Sequence, residues 1–101
     1  MLQKGPYVMK FYYPVVIEKK EEGKWHASFP DLKMCEAEGT DEFDVLQNAR
    51  EAAYGWIDLE LKEEDNPQLP SPTDPKDVKL EAGQQVRMIL VNYRLPEGWD
   101  E

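Results

Sequence analysis

Residues 41–62 constrain the fold more than any other stretch, because no other segment is long and periodic enough to predict a long helix. Asp41 is placed to cap the first turn, and Asp44 follows three residues later in a variant of the capping box. The apolar residues recur at spacings of three and four, so they share one helical face that we expect to rest on a sheet. The predicted stripe is Phe43, Leu46, Ala49, Ala53, Ile57 and Leu61.

Four strands are predicted around this helix, three before it and one after it. They are rich in aromatic and β-branched residues or alternate apolar with polar residues. The predicted strands are residues 8–20, 24–29, 34–38 and 85–93. Pro14 in the first strand lacks an N–H and predicts a bulge or an unpaired side there. The order β-β-β-α-β predicts an α+β fold with the helix on one face of the sheet, and a right-handed crossover would make the last strand parallel to the first.

The length and charge of the chain limit what it can do. A chain of 101 residues predicts one domain, with a core at about residues 8–93 and a tail at 94–101. The formal net charge is −9, and the basic residues are not clustered, which argues against a nucleic-acid surface. The acidity fits either a basic partner or an acidic surface without a charged partner. One cysteine and no long apolar run indicate neither secretion nor a membrane span, so we expect a cytoplasmic protein.

Three polar residues are candidates for chemistry, and a structural role is the simpler interpretation of each. His26 lies on the polar side of a predicted strand, where nothing in the sequence indicates a catalytic partner. Cys35 is the single cysteine and is expected to be a small core residue. Asp31 is expected to cap a turn through its own backbone. The sequence shows no metal-ligand cluster and no phosphate loop, so we expect no enzyme activity, metal or cofactor.

Several short motifs are found together in this chain. They are Tyr13-Pro14-Val15-Val16-Ile17, the run FPDLKMCEAEG at 29–39, the helix opening DEFD at 41–44, NAREA at 48–52 and Leu69-Pro70-Ser71-Pro72. In this combination they resemble the HicB antitoxin family over nearly the whole chain. The chain departs from the family pattern at Lys33-Met34, where Pro-Gly is usual, and at Val45, where Ala is frequent. After Tyr93 only RLPEGWDE remains, so we expect no DNA-binding domain and no direct contact with nucleic acid.

The resemblance implies a partial RNase H-like fold and a function in binding. Members of the family are non-catalytic partners that bind and inhibit a small basic ribonuclease of the HicA type. If this chain does the same, we expect acidic residues near the FPDL turn and the helix start to contact that partner. The candidate contacts are Pro30, Asp31, Glu36, Glu38, Asp41 and Glu42. The alternative is a solitary HicB-like structural or adaptor protein that forms a homo-oligomer without a toxin.

The apolar surface also predicts self-association. The first and last strands are apolar on both faces, yet one helix can cover only one face, and exposed apolar area of this kind marks an interface. We therefore expect a homodimer or homotetramer that buries the second sheet face or a flank of the helix. The candidate helix contacts are Val45, Ala52, Trp56 and Leu59. The tail, through Leu95 and Trp99, is a competing cover.

Overall fold

The computed structural model describes residues 8–63 and 69–94. These residues form four strands and one long helix in the predicted order. The elements are β1 (Val8–Lys19), β2 (Trp25–Ser28), β3 (Glu36–Gly39), α1 (Glu42–Glu63) and β4 (Gln84–Arg94), with short 3-10 turns at Glu21–Gly23 and Pro75–Asp77. The predicted α+β fold with a single long helix on the sheet is confirmed for the described residues.

The four strands form one sheet in the order β3-β2-β1-β4, and every neighbouring pair is antiparallel. The prediction that the last strand lies beside the first is confirmed, but the predicted parallel direction is wrong. β1 pairs with β4 over residues 8–18 and with β2 only over residues 16–19. One end of the sheet carries the β1–β2 turn and Gly39, and we call it the turn end. The far end is where Val8 pairs with Arg94.

The path of the connector explains the antiparallel direction of β4. α1 begins at the turn end and runs to the far end, where Tyr93 donates its hydroxyl to Asp58 at 2.6 Å. A chain that entered β4 directly from the far end would run parallel to β1. Instead, the proline-containing connector returns the chain to the turn end, so β4 begins with Gln84 opposite Glu18.

α1 packs on the sheet through small and β-branched residues that recur in steps of four. Val45, Ala49, Ala53 and Ile57 are all fully buried. The core that they contact includes Tyr13, Val15, Ile17, Ala27, Phe29, Leu32, Ile89 and Val91. The predicted stripe is wrong at its first member, because Phe43 is 74% exposed. Successive helical residues are about 100° apart, so placing Val45 on the sheet turns Phe43, two positions earlier, towards solvent.

The start of α1 is determined by a close contact with β3 and by side-chain caps. A Cβ atom at Gly39 would lie 2.5 Å from the backbone nitrogen of Val45, so glycine is required there. Asp41 accepts a hydrogen bond from the Asp44 N–H at 2.7 Å, as the predicted cap requires. The Asp44 carboxylate accepts from the Thr40 N–H at 2.9 Å, one residue further back than in the usual capping box.

The connector covers part of the opposite sheet face, which we call the second face. Pro14 and Val16 point to this face and are nevertheless buried. The connector is attached on both sides of these two residues. Thr73 is bound to Asp31 beside β2, and the Pro75–Asp77 turn contacts β4. The connector therefore passes over this part of the second face. The expectation that β1 is covered on both faces holds for its middle.

The rest of the second face carries exposed apolar side chains. Val8 and Tyr12 of β1 and Met88 of β4 are all exposed there. The tail residues Leu95 and Trp99, expected to compete for this surface, lie outside the described residues. No helix within 8–63 and 69–94 is both long and apolar enough to cross a membrane.

Candidate protein-binding surface

The FPDL turn and the LPSP segment are joined by hydrogen bonds. Asp31 accepts two from Thr73, one from its N–H at 2.8 Å and one from its hydroxyl at 2.6 Å. Tyr13 donates its hydroxyl to the Pro70 carbonyl at 2.5 Å. The expectation that Asp31 caps a turn through its own backbone is therefore wrong, because its carboxylate ties the connector to the end of β2. Both carboxylate oxygens of this candidate contact already have a partner within the chain.

The NAREA motif closes both edges of the sheet. Asn48 donates its side-chain amide to the Glu38 carbonyl of β3 at 2.8 Å. Arg50 donates its Nε hydrogen to the Leu90 carbonyl of β4 at 3.2 Å. β3 and β4 are the two edge strands, and an unpaired edge carbonyl could otherwise pair with another chain. This motif, like FPDL and LPSP, thus makes hydrogen bonds that stabilise the fold.

The six predicted partner contacts do not form one patch. Pro30 and Asp31 follow β2, whereas Asp41 and Glu42 follow β3 at the opposite end of the same hairpin. A four-residue strand separates these two groups by roughly 13 Å. The remaining two, Glu36 and Glu38, lie between them on the second face of β3.

An exposed aromatic side chain stands in the acidic first turn of α1. Phe43 is 74% exposed, and its neighbours in the chain are Asp41, Glu42 and Asp44. We call residues 41–44 the helix-start surface. Asp41 and Asp44 are oriented by the capping bonds, and Glu42 accepts hydrogen bonds from Arg87 at 3.0 and 3.2 Å. An apolar centre among oriented carboxylates is chemistry suited to a basic protein partner.

Two further candidate contacts, Glu36 and Glu38, lie on the second face of β3. Glu38 lies at the turn end, three residues before Asp41, and its side chain is exposed. Glu36 is also exposed, and its Oε1 lies 3.1 Å from His26 Nε2 on the adjacent strand. Of the predicted contacts, Glu38 and Asp41 are the exposed carboxylates nearest to Phe43 in the chain.

The sequence did not reveal the exposure of Phe43, because Phe43 fits the three- and four-residue spacings of the apolar stripe as well as a true core residue does. Two signals could have identified the true stripe. Val45, Ala49, Ala53 and Ile57 recur in strict steps of four, and the first three are small enough for close packing. Gly39 lies two residues before the helix cap Asp41, where the absence of a Cβ atom lets the start of the helix approach β3.

The titratable groups in the core have structural roles. Burial, and to a smaller extent Glu36, raises the pKa of the Cys35 thiol to about 11, so it stays protonated at neutral pH and is a poor nucleophile. Burial and the bond to Asp58 raise the pKa of Tyr93 to about 12, and the same bond lowers the pKa of Asp58. Among residues 8–63 and 69–94, no three His, Cys, Asp or Glu residues are grouped so that they could hold a metal ion.

The predicted oligomer contacts on the helix are mostly used inside the chain. Val45 is fully buried, so its placement on a free flank is wrong: the helix is rotated to put it on the sheet. Ala52 and Trp56 pack against the core, and Trp56 donates its indole N–H to the Lys33 carbonyl at 3.0 Å. Leu59 is the member of this set whose side chain is exposed, at 56%.

Comparison with known proteins defines the class to which this fold belongs. The family model described as HicB_like antitoxin of bacterial toxin-antitoxin system matches residues 13–93. That match covers most of the sequence, so the chain belongs to the HicB-like antitoxin family. The family expected from the motifs is therefore confirmed.

Two relatives show how far the similarity extends. Antitoxin HicB 1 of Photorhabdus laumondii is 30% identical to this chain over 79 residues, which are 76% of this chain and 51% of that protein. The chain therefore spans about half the length of this curated relative. The crystal structure of the N-terminal domain of Burkholderia pseudomallei antitoxin HicB matches with a TM-score of 0.67 and 18% identity, covering 78% of this chain and 95% of that one. At this identity the second match shows a common fold.

Proposed function

We propose that this chain neutralises a small basic ribonuclease of the HicA type by covering its active site, without chemistry of its own. The observation that carries the proposal is Phe43, which is exposed within the acidic helix-start surface. Membership of an antitoxin family supports a toxin as the partner. The net charge of −9 supports a partner of opposite charge, because complementary charge speeds association.

In this proposal the antitoxin competes with RNA for the toxin. A ribonuclease holds the phosphates of RNA with basic side chains. Glu38 and Asp41 would meet those basic groups in place of phosphates, while Phe43 would fill an apolar pocket at the centre of the contact. Because the carboxylates of the helix-start surface are already oriented by hydrogen bonds within the chain, little conformational freedom is lost on binding.

Phe43→Ala tests the proposed contact. The partner to test is the product of the small basic reading frame that we expect immediately upstream of this gene. It should arrest growth when expressed alone and be neutralised by this chain. We expect Phe43→Ala to weaken binding by about 2 kcal/mol, or about 30-fold, because a central aromatic anchor is lost. Isothermal titration calorimetry of the two purified proteins measures the affinity. Leu59→Ala is the matched control, because it removes another exposed apolar side chain of the same helix.

Each outcome of this test has one meaning. Absence of growth arrest by the neighbouring protein, or absence of binding at low salt, would refute toxin neutralisation and leave the solitary adaptor. Binding that Phe43→Ala and Leu59→Ala weaken equally would refute the helix-start surface as the contact. Asp41→Asn should slow association at low salt more than at high salt, since rim charges act mainly on the association rate.

We also propose that the chain forms a homodimer or homotetramer through its second face. Val8, Tyr12 and Met88 support this proposal, because they place exposed apolar side chains on one side of the sheet. The flank of the helix is a weaker candidate, since Trp56 and Ala52 pack against the core.

A further inference from the structure

A groove borders the part of β1 that has no partner strand on one side. β1 pairs with β2 only from Val16 onwards, so among the described residues 8–15 have a strand neighbour on the β4 side alone. Residues 10–13 of β1 and residues 69–72 of the connector line a groove of about 370 Å³. This volume is within the range of ligand-binding pockets, roughly 300–1,000 Å³.

Pro14 shows which backbone groups face this groove. The β1–β4 ladder continues through Pro14, which lies opposite Met88. Since proline has no N–H, its nitrogen can point away from β4 without the loss of a ladder bond. Backbone groups of an antiparallel strand alternate between its two sides, so Lys10 and Tyr12 also point their N–H and C=O groups away from β4. Lys20 lies an even number of residues from Lys10 and Tyr12, so its backbone groups point to the same side. Its N–H indeed donates to the Lys24 carbonyl on the β2 side.

The opposite wall of the groove does not complete the sheet. Pro70 and Pro72 have no N–H, and the Pro70 carbonyl already accepts the Tyr13 hydroxyl. Within the described part of the chain, no backbone hydrogen bond joins residues 69–72 to β1. Among the described residues, the N–H and C=O groups of Lys10 and Tyr12 thus have no backbone partner in the groove. An extended polypeptide backbone is the ligand whose donors and acceptors match such a strand edge.

We propose that this groove binds a single extended peptide segment of a partner protein by strand addition to β1. The peptide backbone pairs with Lys10 and Tyr12, and its apolar side chains lie against Phe11 and Leu69. The Lys10 ammonium favours an acidic side chain in the peptide, since Lys10 is the charged residue among the described residues of the lining. A second copy of this chain is disfavoured, because residues 69–72 stand across the groove and obstruct the approach of a whole sheet edge. This site is separate from the helix-start surface and independent of toxin neutralisation.

The decisive variant is Tyr12→Pro. It removes one N–H from the groove in the way that Pro14 already does, while the ladder to β4 is retained. The probe is a random octapeptide library displayed on phage and selected on the immobilised full chain, after which the enriched peptide is synthesised. We expect alternating apolar residues with an acidic residue among them. Tyr12→Pro should weaken binding of that peptide about tenfold, because one backbone hydrogen bond is lost, whereas Tyr12→Phe should bind like the unaltered chain.

Two further measurements keep the test decisive if Tyr12→Pro fails to fold. N-methylation of alternate peptide residues should abolish binding in one register and spare it in the other, because only one set of peptide N–H groups faces β1. Amide hydrogen exchange at Lys10 and Tyr12 should slow when the peptide binds. The proposal is overturned if no peptide is enriched over a blank surface, if folded Tyr12→Pro binds as tightly as the unaltered chain, or if both methylation registers bind equally.

Discussion

At the scale of the residue, Met34 is held in a backbone conformation that favours glycine. Its φ is 62°, in the left-handed region, and its side chain is 89% exposed. The resemblance to the HicB pattern implies glycine at this position, and the observed φ gives a physical reason for it. A side chain with a Cβ in this region costs about 1–2 kcal/mol relative to a right-handed conformation. The same loop still closes, because the Cys35 N–H bonds to the Leu32 carbonyl at 3.0 Å.

We expect Met34→Gly to raise the free energy of unfolding by about 0.5 kcal/mol. Relief of the left-handed strain exceeds the extra entropy that glycine gives the unfolded chain, and the exposed side chain makes few contacts that could be lost. Urea unfolding followed by circular dichroism measures the change. Lys33→Gly is the control and should lower stability, since Lys33 is not among the described residues with positive φ. A less stable Met34→Gly would show that the methionine side chain contributes more than the strain costs.

At the scale of the element, the connector is held by two anchors that lie far apart in sequence from their partners. Thr73 binds Asp31, and Pro70 accepts the Tyr13 hydroxyl. Four prolines give the connector little capacity for ladder bonds, so side-chain hydrogen bonds must hold it. These anchors guide the chain from the end of α1 across the second face to the start of β4.

Asp31→Ala should lower the free energy of unfolding by about 2 kcal/mol, because two hydrogen bonds to a carboxylate are lost. Thr73→Val should cost less, and the double variant should show a coupling of about 1 kcal/mol. Chemical denaturation of the unaltered chain, the two single variants and the double variant measures the four free energies of unfolding that this coupling requires. Pro30→Ala is the control, because Pro30 is exposed beside Asp31. Strictly additive effects of the two substitutions would mean that the bond between the Thr73 hydroxyl and Asp31 contributes nothing to stability.

At the scale of the whole molecule, the helix leaves the two faces of the sheet unequal. One face is buried under α1, whereas the second face is covered by the connector in its middle and exposes Val8, Tyr12 and Met88 elsewhere. Apolar side chains grouped on one face favour association with another surface. These exposed residues lie on β1 and β4, whereas Glu38 and the helix start lie at the β3 edge, so self-association and partner binding can be altered separately.

Light scattering at micromolar concentration should give the mass of a dimer or tetramer for the unaltered chain. Met88→Glu should shift that mass to the monomer, because a carboxylate would be placed in the middle of the proposed apolar contact. Met34→Glu, which adds the same charge at an exposed loop position, should leave the oligomer intact. A monomeric mass for the unaltered chain would refute the proposal of self-association, as would an oligomer that Met88→Glu and Met34→Glu affect equally.

Much of the fold could be predicted from the sequence because the relevant signals are local. Strand and helix periodicity, the Asp41 cap and the unpaired side at Pro14 depend on residues a few positions apart, and the structure agrees with each. The candidate contacts stay a prediction. Asp31 and Glu42 are hydrogen-bonded within the chain, and Phe43, expected in the core, is exposed.

The sequence by itself determined the order of the elements and the family, and it located their ends to within two residues, since these rest on short-range patterns. Only the tertiary structure decided the direction of β4, the rotation of α1 and the partner of Asp31. Each of these depends on contacts between distant parts of the chain, as when Thr73 binds Asp31 across 42 positions. The rotation of α1 follows from the approach of Val45 to Gly39, which periodicity alone does not specify. Local patterns show which faces are apolar, whereas packing selects which of several similar faces is buried.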